Sequence, residues 1–143
     1  MTEISFYFNA PSRSGYACRL LRQAQRQGMS LTVVGAAASL EEFDRELWSF
    51  SAAEFVPHHR IDRSSEVPAA LQARTVWLGE NPLDAPVHDA LLNLGDAPPK
   101  GFETFARLFE VVSAADADRA SARERWKAYA DRGYPIKRHE VTA

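Results

Sequence analysis

Cysteine is almost absent from this chain of 143 residues, which contains only Cys18. A single cysteine excludes an intramolecular disulfide framework and is typical of a reducing compartment. The chain also lacks the run of about 18 apolar residues that a membrane span needs. Residues 1–6 lack the basic start and apolar stretch of a secretory signal. We therefore expect a cytoplasmic protein without membrane contact.

A strong net charge is missing as well, since 17 Lys and Arg stand against 19 Asp and Glu, for a formal charge of −2. Proteins that hold nucleic acid by its phosphates usually present a strongly basic domain or face. We therefore expect only indirect contact with DNA. The chain has the length of one domain and shows no repeat or long linker, which predicts a single domain spanning residues 1–143.

Sites for nucleotides, metals and catalysis are not supported by the sequence. The loop at residues 9–15, after the first predicted strand, contains one glycine, whereas a dinucleotide fingerprint needs three and a phosphate-binding P-loop needs Gly-Lys-Ser/Thr. The adjacent His58 and His59 would point apart on an extended chain, without Cys or acidic partners at ligand spacing. Cys18 lies in an apolar helical stretch, which favours a buried structural thiol. We expect no cofactor, no metal and no catalytic residue.

The hydrophobic pattern alternates between strands and helices. Apolar or alternating segments predict strands at residues 4–8, 31–35, 75–79 and 90–95, and a short extended piece at 55–56. Residues 108–112 are favoured as a strand over the continuation of a short helix that begins at 102. Helical periodicity predicts helices at 14–27 (capped by Ser14), 39–49 (opened by a Ser39–Glu42 capping box) and 118–132 (ended by Gly133). Residues 60–71 and 134–143 are predicted as a polar connection and an extended tail. This order predicts a Rossmann-like three-layer α/β domain, with a mostly parallel central sheet and helices on both faces.

The last helix combines an apolar stripe with a basic one. At helical spacing, one stripe contains Ala122, Trp126, Tyr129 and Gly133, and the adjoining stripe contains Arg119, Arg123 and Lys127. From Arg119 onward there are seven Lys or Arg against three Asp or Glu.

An aromatic floor beside fixed cations suits an acidic peptide that ends in an aromatic residue with a free carboxylate. The same pattern is also that of core aromatics beside an ordinary solvated face, so spacing alone leaves both interpretations open.

Three segments resemble the chi subunit of the bacterial DNA polymerase III holoenzyme. They are Phe6-Tyr7-Phe8, the stretch from Leu47-Trp48 to Pro57-His58, and the stretch from Glu110-Val111-Val112 through Ala122-Arg123-Glu124-Arg125-Trp126 to Gly133-Tyr134. The resemblance implies a non-catalytic subunit that links the clamp-loader complex to single-stranded-DNA-binding protein by gripping the acidic, phenylalanine-ended C-terminal tail of that protein.

The resemblance also implies which positions would bind. For the tail peptide they are Arg123, Lys127, Trp126 and Gly133, together with Arg119, where the family has a lysine. Two further positions differ from the family: Ala115 replaces a larger aliphatic residue, and Arg138 replaces a small polar one. For the psi subunit or its equivalent in the clamp loader they are Trp48 and Phe55, which would otherwise be core residues. Two alternatives remain, a nucleotide-binding α/β enzyme and a direct binder of single-stranded DNA.

Overall fold

The structure is a computed structural model that describes residues 1–49, 58–61 and 76–141. Its strands are β1 (Glu3–Ala10), β2 (Leu31–Val34), β3 (His58–Arg60), β4 (Val76–Gly79), β5 (Ala90–Asn93), β6 (Arg107–Ser113) and β7 (Ile136–Glu140). They form one seven-stranded sheet in the order β3-β4-β2-β5-β6-β1-β7. All the neighbouring strands are parallel.

Helices cover both faces of this sheet. Among the described residues the α-helices are α1 (Arg13–Arg26), α2 (Ala37–Ser49) and α3 (Asp116–Asp131). Because successive side chains of a strand point to opposite faces, Val33 and Val34 belong to different cores. Val33 packs in the cluster that contains α1 and α2 residues, and Val34 packs in the cluster that contains α3 residues. The predicted Rossmann-like three-layer α/β fold is confirmed.

The central strands are short and apolar because the helices cover them on both sides. All four residues are buried in each of β2, β4 and β5, which is the usual pattern of a parallel sheet with two covered faces. The strand that the sequence favoured at residues 108–112 is confirmed as β6. A single 3-10 turn at Phe102–Thr104 precedes it.

The C-terminal tail is part of the sheet, as its edge strand β7. β7 pairs with β1 in a register that places Phe6 opposite Arg138 and Phe8 opposite Glu140. The backbone N–H of Val141 extends the ladder by donating to the carbonyl of Phe8 at 2.8 Å. This pairing places β7 beside β1 and positions the site described below.

Three local predictions need correction. Helix α1 is capped by Ser12, whose hydroxyl accepts from the N–H of Gly15 at 3.2 Å, while Ser14 bonds to Glu46 instead. Helix α2 begins at Ala37, before Ser39, so the proposed capping box does not start it. Residues 58–60 form strand β3, which overlaps the predicted polar connection of residues 60–71 at Arg60. The predicted extended piece at 55–56 lies outside the described residues.

Candidate functional site

One side of α3 is anchored to the sheet by a buried polar network. Arg125 and Glu110 of β6 are both 0 % exposed, and their Nε and Oε1 atoms lie 3.0 Å apart. The hydroxyl of Tyr129 donates to Oε2 of Glu110 at 2.7 Å, and the amide of Asn93 donates to the same oxygen at 3.0 Å. Burial raises the pKa of Glu110, and Arg125 opposes this shift. Burial likewise raises the pKa of Tyr129.

This network fixes the rotation of α3 on the sheet. Ala122, Arg125 and Tyr129 are the buried residues of the helix. Arg119, Arg123 and Lys127 are exposed and Trp126 is half-buried. The basic stripe therefore faces outward, with the indole at its border.

A cleft opens between α3 and the edge of the sheet. It has a volume of about 310 Å³ and is lined by Phe8, Arg119, Arg123, Trp126 and Arg138. The ring of Trp126 lies 5.0 Å from that of Phe6 and 6.0 Å from that of Phe8, measured between ring centroids. The cleft thus combines an aromatic floor with three guanidinium groups from two elements.

Arg138 is positioned in this cleft by two contacts. Its guanidinium carbon lies over the ring of Phe8, 4.3 Å from the centroid. Its Nη2 atom is 2.8 Å from Oε1 of Glu140, and the side-chain amide of Asn9 donates to the other oxygen of Glu140. The hydrogen bonds from Arg138 and Asn9 lower the pKa of Glu140, and the charges of Arg138 and Arg119 contribute in the same direction.

Asn9 reaches Glu140 from an irregular part of β1. Its φ angle is 63°, and the register between β1 and β6 shifts between Tyr7 and Ala10. Asn is one of the few residue types that adopt this left-handed conformation without a large penalty. The bulge directs the side chain of Asn9 toward β7.

The structure brings together four of the positions that the resemblance implied, Arg119, Arg123, Trp126 and Arg138. The other three lie outside the residues that line the cleft. Lys127 is exposed one turn beyond Arg123, Ala115 is the residue before the first turn of α3, and Gly133 follows that helix with a φ angle of 83°.

Trp48 belongs to α2, but nothing is described of its side chain, and Phe55 lies outside the described residues. The sequence interpretation missed Phe8 and Glu140, which join the site through strand pairing. It also missed Arg125, whose spacing of three from Ala122 and four from Tyr129 was the available signal.

A second cleft lies at the carboxyl edge of the sheet, where α/β proteins commonly bind nucleotides. It has a volume of about 370 Å³, and its lining includes Arg13, Glu80 and Asp96. The guanidinium of Arg13 donates to the carbonyls of Val111 and Gly95, both at 2.9 Å. Since its cation is bound to backbone and two carboxylates line the space, this cleft is poorly suited to phosphates.

Other chemistry is also unsupported within residues 1–49, 58–61 and 76–141. No group of three His, Cys, Asp or Glu side chains there is arranged to hold a metal ion. Cys18 is buried, and burial raises the pKa of its thiol to about 12. No helix of the described chain is long and apolar enough to cross a membrane.

Comparison with known proteins identifies the family. A family model described as DNA polymerase III chi subunit, HolC, matches residues 1–137. The DNA polymerase III subunit chi of Pseudomonas aeruginosa is 35% identical over 146 residues, covering 99% of this chain and 98% of that protein. The subunit of the same name from Haemophilus influenzae is 29% identical over 126 residues, covering 87% and 85% of the two chains.

The family is that of an accessory subunit of a replicative polymerase rather than a catalytic one, which confirms the prediction of a non-catalytic replication protein. The chain belongs to the DNA polymerase III chi subunit family.

Proposed function

We propose that this chain links the clamp-loader complex to single-stranded-DNA-binding protein by gripping the acidic C-terminal tail of that protein in the cleft between α3 and β7. The observation that carries the proposal is the convergence of Arg119, Arg123 and Arg138 around the rings of Trp126 and Phe8. We expect the chain to act in the cytoplasm, where the DNA of a bacterium is copied.

The ligand class is inferred from the chemistry of the cleft. Guanidinium groups grip carboxylates with paired hydrogen bonds, and the aromatic floor offers apolar area to a ring. A volume of about 310 Å³ is at the lower end of the range for small-molecule sites, which suits the last one or two residues of a peptide. Lys127 would meet acidic residues further from the carboxyl end, and Ala115 and Gly133 would flank the peptide at the two ends of α3.

Binding at this cleft should be weak and sensitive to salt. Each exposed ion pair contributes roughly 0–1 kcal/mol, and the arginines of the cleft are largely exposed, so affinity depends on several contacts together with the ring. Ionic strength screens exposed charges, with a Debye length of about 8 Å at 0.15 M. We therefore expect a micromolar dissociation constant that rises with salt.

The test uses a fluorescent peptide of acidic residues that ends in Pro-Phe, with fluorescence anisotropy as the measurement. We expect the full chain to bind it, and Arg123→Glu to weaken binding at least tenfold because the change puts a negative charge in the cleft. Arg19→Glu is the matched control, since Arg19 is an exposed arginine of α1 on the opposite face of the sheet. Undiminished binding by Arg123→Glu, or an equal loss with Arg19→Glu, would falsify the site assignment.

A single-stranded oligonucleotide serves as the competing ligand in the same assay. We expect the acidic peptide to bind much more tightly than the oligonucleotide, because the cleft is small and the chain carries a net charge of −2. Preference for the oligonucleotide would instead favour a direct DNA binder.

A further inference from the structure

We propose that Glu140 is an internal competitor for Arg138, so that the terminal carboxylate of a bound peptide takes the place of the Glu140 carboxylate on that guanidinium. This inference rests on the function proposed above and deepens it. Arg138 is then the cation that binds the terminal carboxylate of the peptide. Glu140 is the residue that lowers the affinity for the peptide by competing for Arg138.

The first support is the geometry around Arg138. The guanidinium lies over the Phe8 ring at 4.3 Å and lines the cleft, so it stands directly beside the apolar floor. In a peptide that ends in an aromatic residue, the terminal carboxylate is attached to the same Cα as the ring. A ring seated on Phe8 and Trp126 therefore brings that carboxylate within reach of Arg138.

The second support is that Arg138 already holds a carboxylate there. Its Nη2 atom lies 2.8 Å from Oε1 of Glu140. Arg138 and Glu140 are two residues apart on β7 and therefore project from the same face of the strand. Register pairing of Glu140 with Phe8 keeps this carboxylate at the cleft, where it offers Arg138 the same chemical group as the peptide terminus.

The third support is that Glu140 has a second partner to which it can remain bound. The amide of Asn9 donates to its other oxygen. A carboxylate held by Asn9 can give up Arg138 without losing all its hydrogen bonds, and its exposed position allows water to replace the lost contact. Exchange on Arg138 is thus possible without rearranging β7.

An internal carboxylate of this kind favours multivalent ligands. Because Glu140 is tethered beside Arg138, it competes at a high effective concentration. A free monocarboxylate has no other strong contact with which to overcome this competition. A peptide whose acidic residues bind Arg119 and Arg123 has these additional contacts and can displace Glu140. The cleft therefore selects acidic tails over isolated carboxylates.

The experiment measures peptide binding by the full chain carrying Glu140→Gln. Glutamine keeps the hydrogen-bonding capacity toward Asn9 and removes the competing charge. We expect affinity for the acidic Pro-Phe peptide to rise roughly two- to fivefold, the size of one exposed ion pair. The matched control is Glu124→Gln, the same charge change at an exposed position of α3 outside the cleft lining, for which we expect a smaller gain.

Two further arms separate exchange from a general charge effect. With Arg138→Gln as the background, Glu140→Gln should give no further gain. With a peptide amidated at its C-terminus, the gain should also disappear. The exchange would be overturned if Glu140→Gln raised the affinity equally with and without Arg138→Gln, or equally for the free and the amidated peptide. It would also be overturned if Glu124→Gln raised the affinity as much as Glu140→Gln does.

The same data distinguish failure of this inference from failure of the proposed function. If the unaltered chain binds the peptide and Arg123→Glu weakens binding at least tenfold, but Glu140→Gln gives no gain, only the exchange is wrong. If the unaltered chain does not bind the peptide, and Glu140→Gln does not either, both are wrong.

Discussion

Glu110 and Arg125 are charged residues at positions that the fold buries completely. Glu110 interrupts the apolar strand β6, and Arg125 lies on the buried stripe of α3. A buried pair of this kind is weak evidence for added stability, because desolvation offsets much of its attraction. Its consequence here is geometric, since it sets which residues of α3 face the cleft.

Removal of the cation alone should be strongly destabilising. Arg125→Met leaves Glu110 buried without its main counter-charge, and we expect the free energy of unfolding to fall by about 3–5 kcal/mol. The charge of Arg125 lowers the pKa of Glu110 against the effect of burial, so its loss raises that pKa further. An acid whose pKa is higher in the folded than in the unfolded state loses stability as pH rises above its unfolded value, near 4.5. Urea unfolding of Arg125→Met between pH 4 and 7 should therefore show stability decreasing with pH.

The control for this prediction is the double variant that adds Glu110→Gln. A neutral amide can still accept from Tyr129 and needs no counter-charge, so part of the stability should return and the pH dependence should flatten. An Arg125→Met variant whose stability does not change with pH would show that the pKa of Glu110 is not raised in the folded state.

Single residues also show where sequence reasoning stopped. The helical wheel placed Trp126 at the border of the basic stripe, and Trp126 does lie beside Arg119 and Arg123 in the cleft. Sequence alone places Arg125 among the cations of the C-terminal segment. Its burial could not be predicted because it depends on the contact with Glu110 of another element. Phe8 and Glu140 were missed because their contacts depend on the pairing of the first strand with the last.

At the scale of elements, helix ends were predicted unevenly. The stop of α3 at Gly133 is confirmed, because a left-handed residue after a helix is strongly selective for glycine. The starts of all three helices were misplaced by one or two residues. Ser12 and Ser14 suit a cap of α1 equally well, whereas α2 begins among alanines, two residues before Ser39. The edge strands β3 and β7 were not predicted as strands because they are short and polar, and partner strands define them.

The glycines that end two helices allow a matched stability test. Gly133 and Gly28 have φ angles of 83° and 75°, and an added Cβ would meet nothing within 4 Å at either position. Only backbone strain then opposes alanine, so Gly133→Ala and Gly28→Ala should each lower the free energy of unfolding by about 1 kcal/mol. Equilibrium unfolding in urea measures both. An unchanged stability in either variant would show that its helix end relaxes without the left-handed residue.

At the scale of the whole molecule, charge is distributed unevenly along the chain. Residues 1–118 contain ten Lys or Arg and sixteen Asp or Glu, whereas the segment from Arg119 onward contains seven and three. Helix α1 is a second basic segment, with four Arg and no Asp or Glu, but the chain as a whole is acidic. Its net charge therefore opposes an extended polyanion, while the C-terminal segment attracts a short acidic peptide locally. This distribution is the reason that we favour a peptide over DNA as the direct ligand.

The three-layer architecture also separates the two proposed partner surfaces. α3 and the cleft lie on one face of the sheet, whereas α2, the helix that includes Trp48, packs on the other. Two partners bound on opposite faces would not compete for the same surface, which is what a linking subunit requires. Phe55, proposed for the clamp-loader side, follows α2 in the sequence.

This separation predicts opposite effects for two tryptophan variants. Trp48→Ala should leave the anisotropy titration with the acidic peptide unchanged and weaken co-purification with the clamp-loader complex. Trp126→Ala should weaken peptide binding several-fold, because it removes the indole from the aromatic floor, and leave that co-purification intact. Thermal unfolding of both variants checks that each remains folded under the assay conditions. If Trp48→Ala reduces peptide binding as much as Trp126→Ala does while both stay folded, the two surfaces are coupled and the linker model with independent faces is wrong.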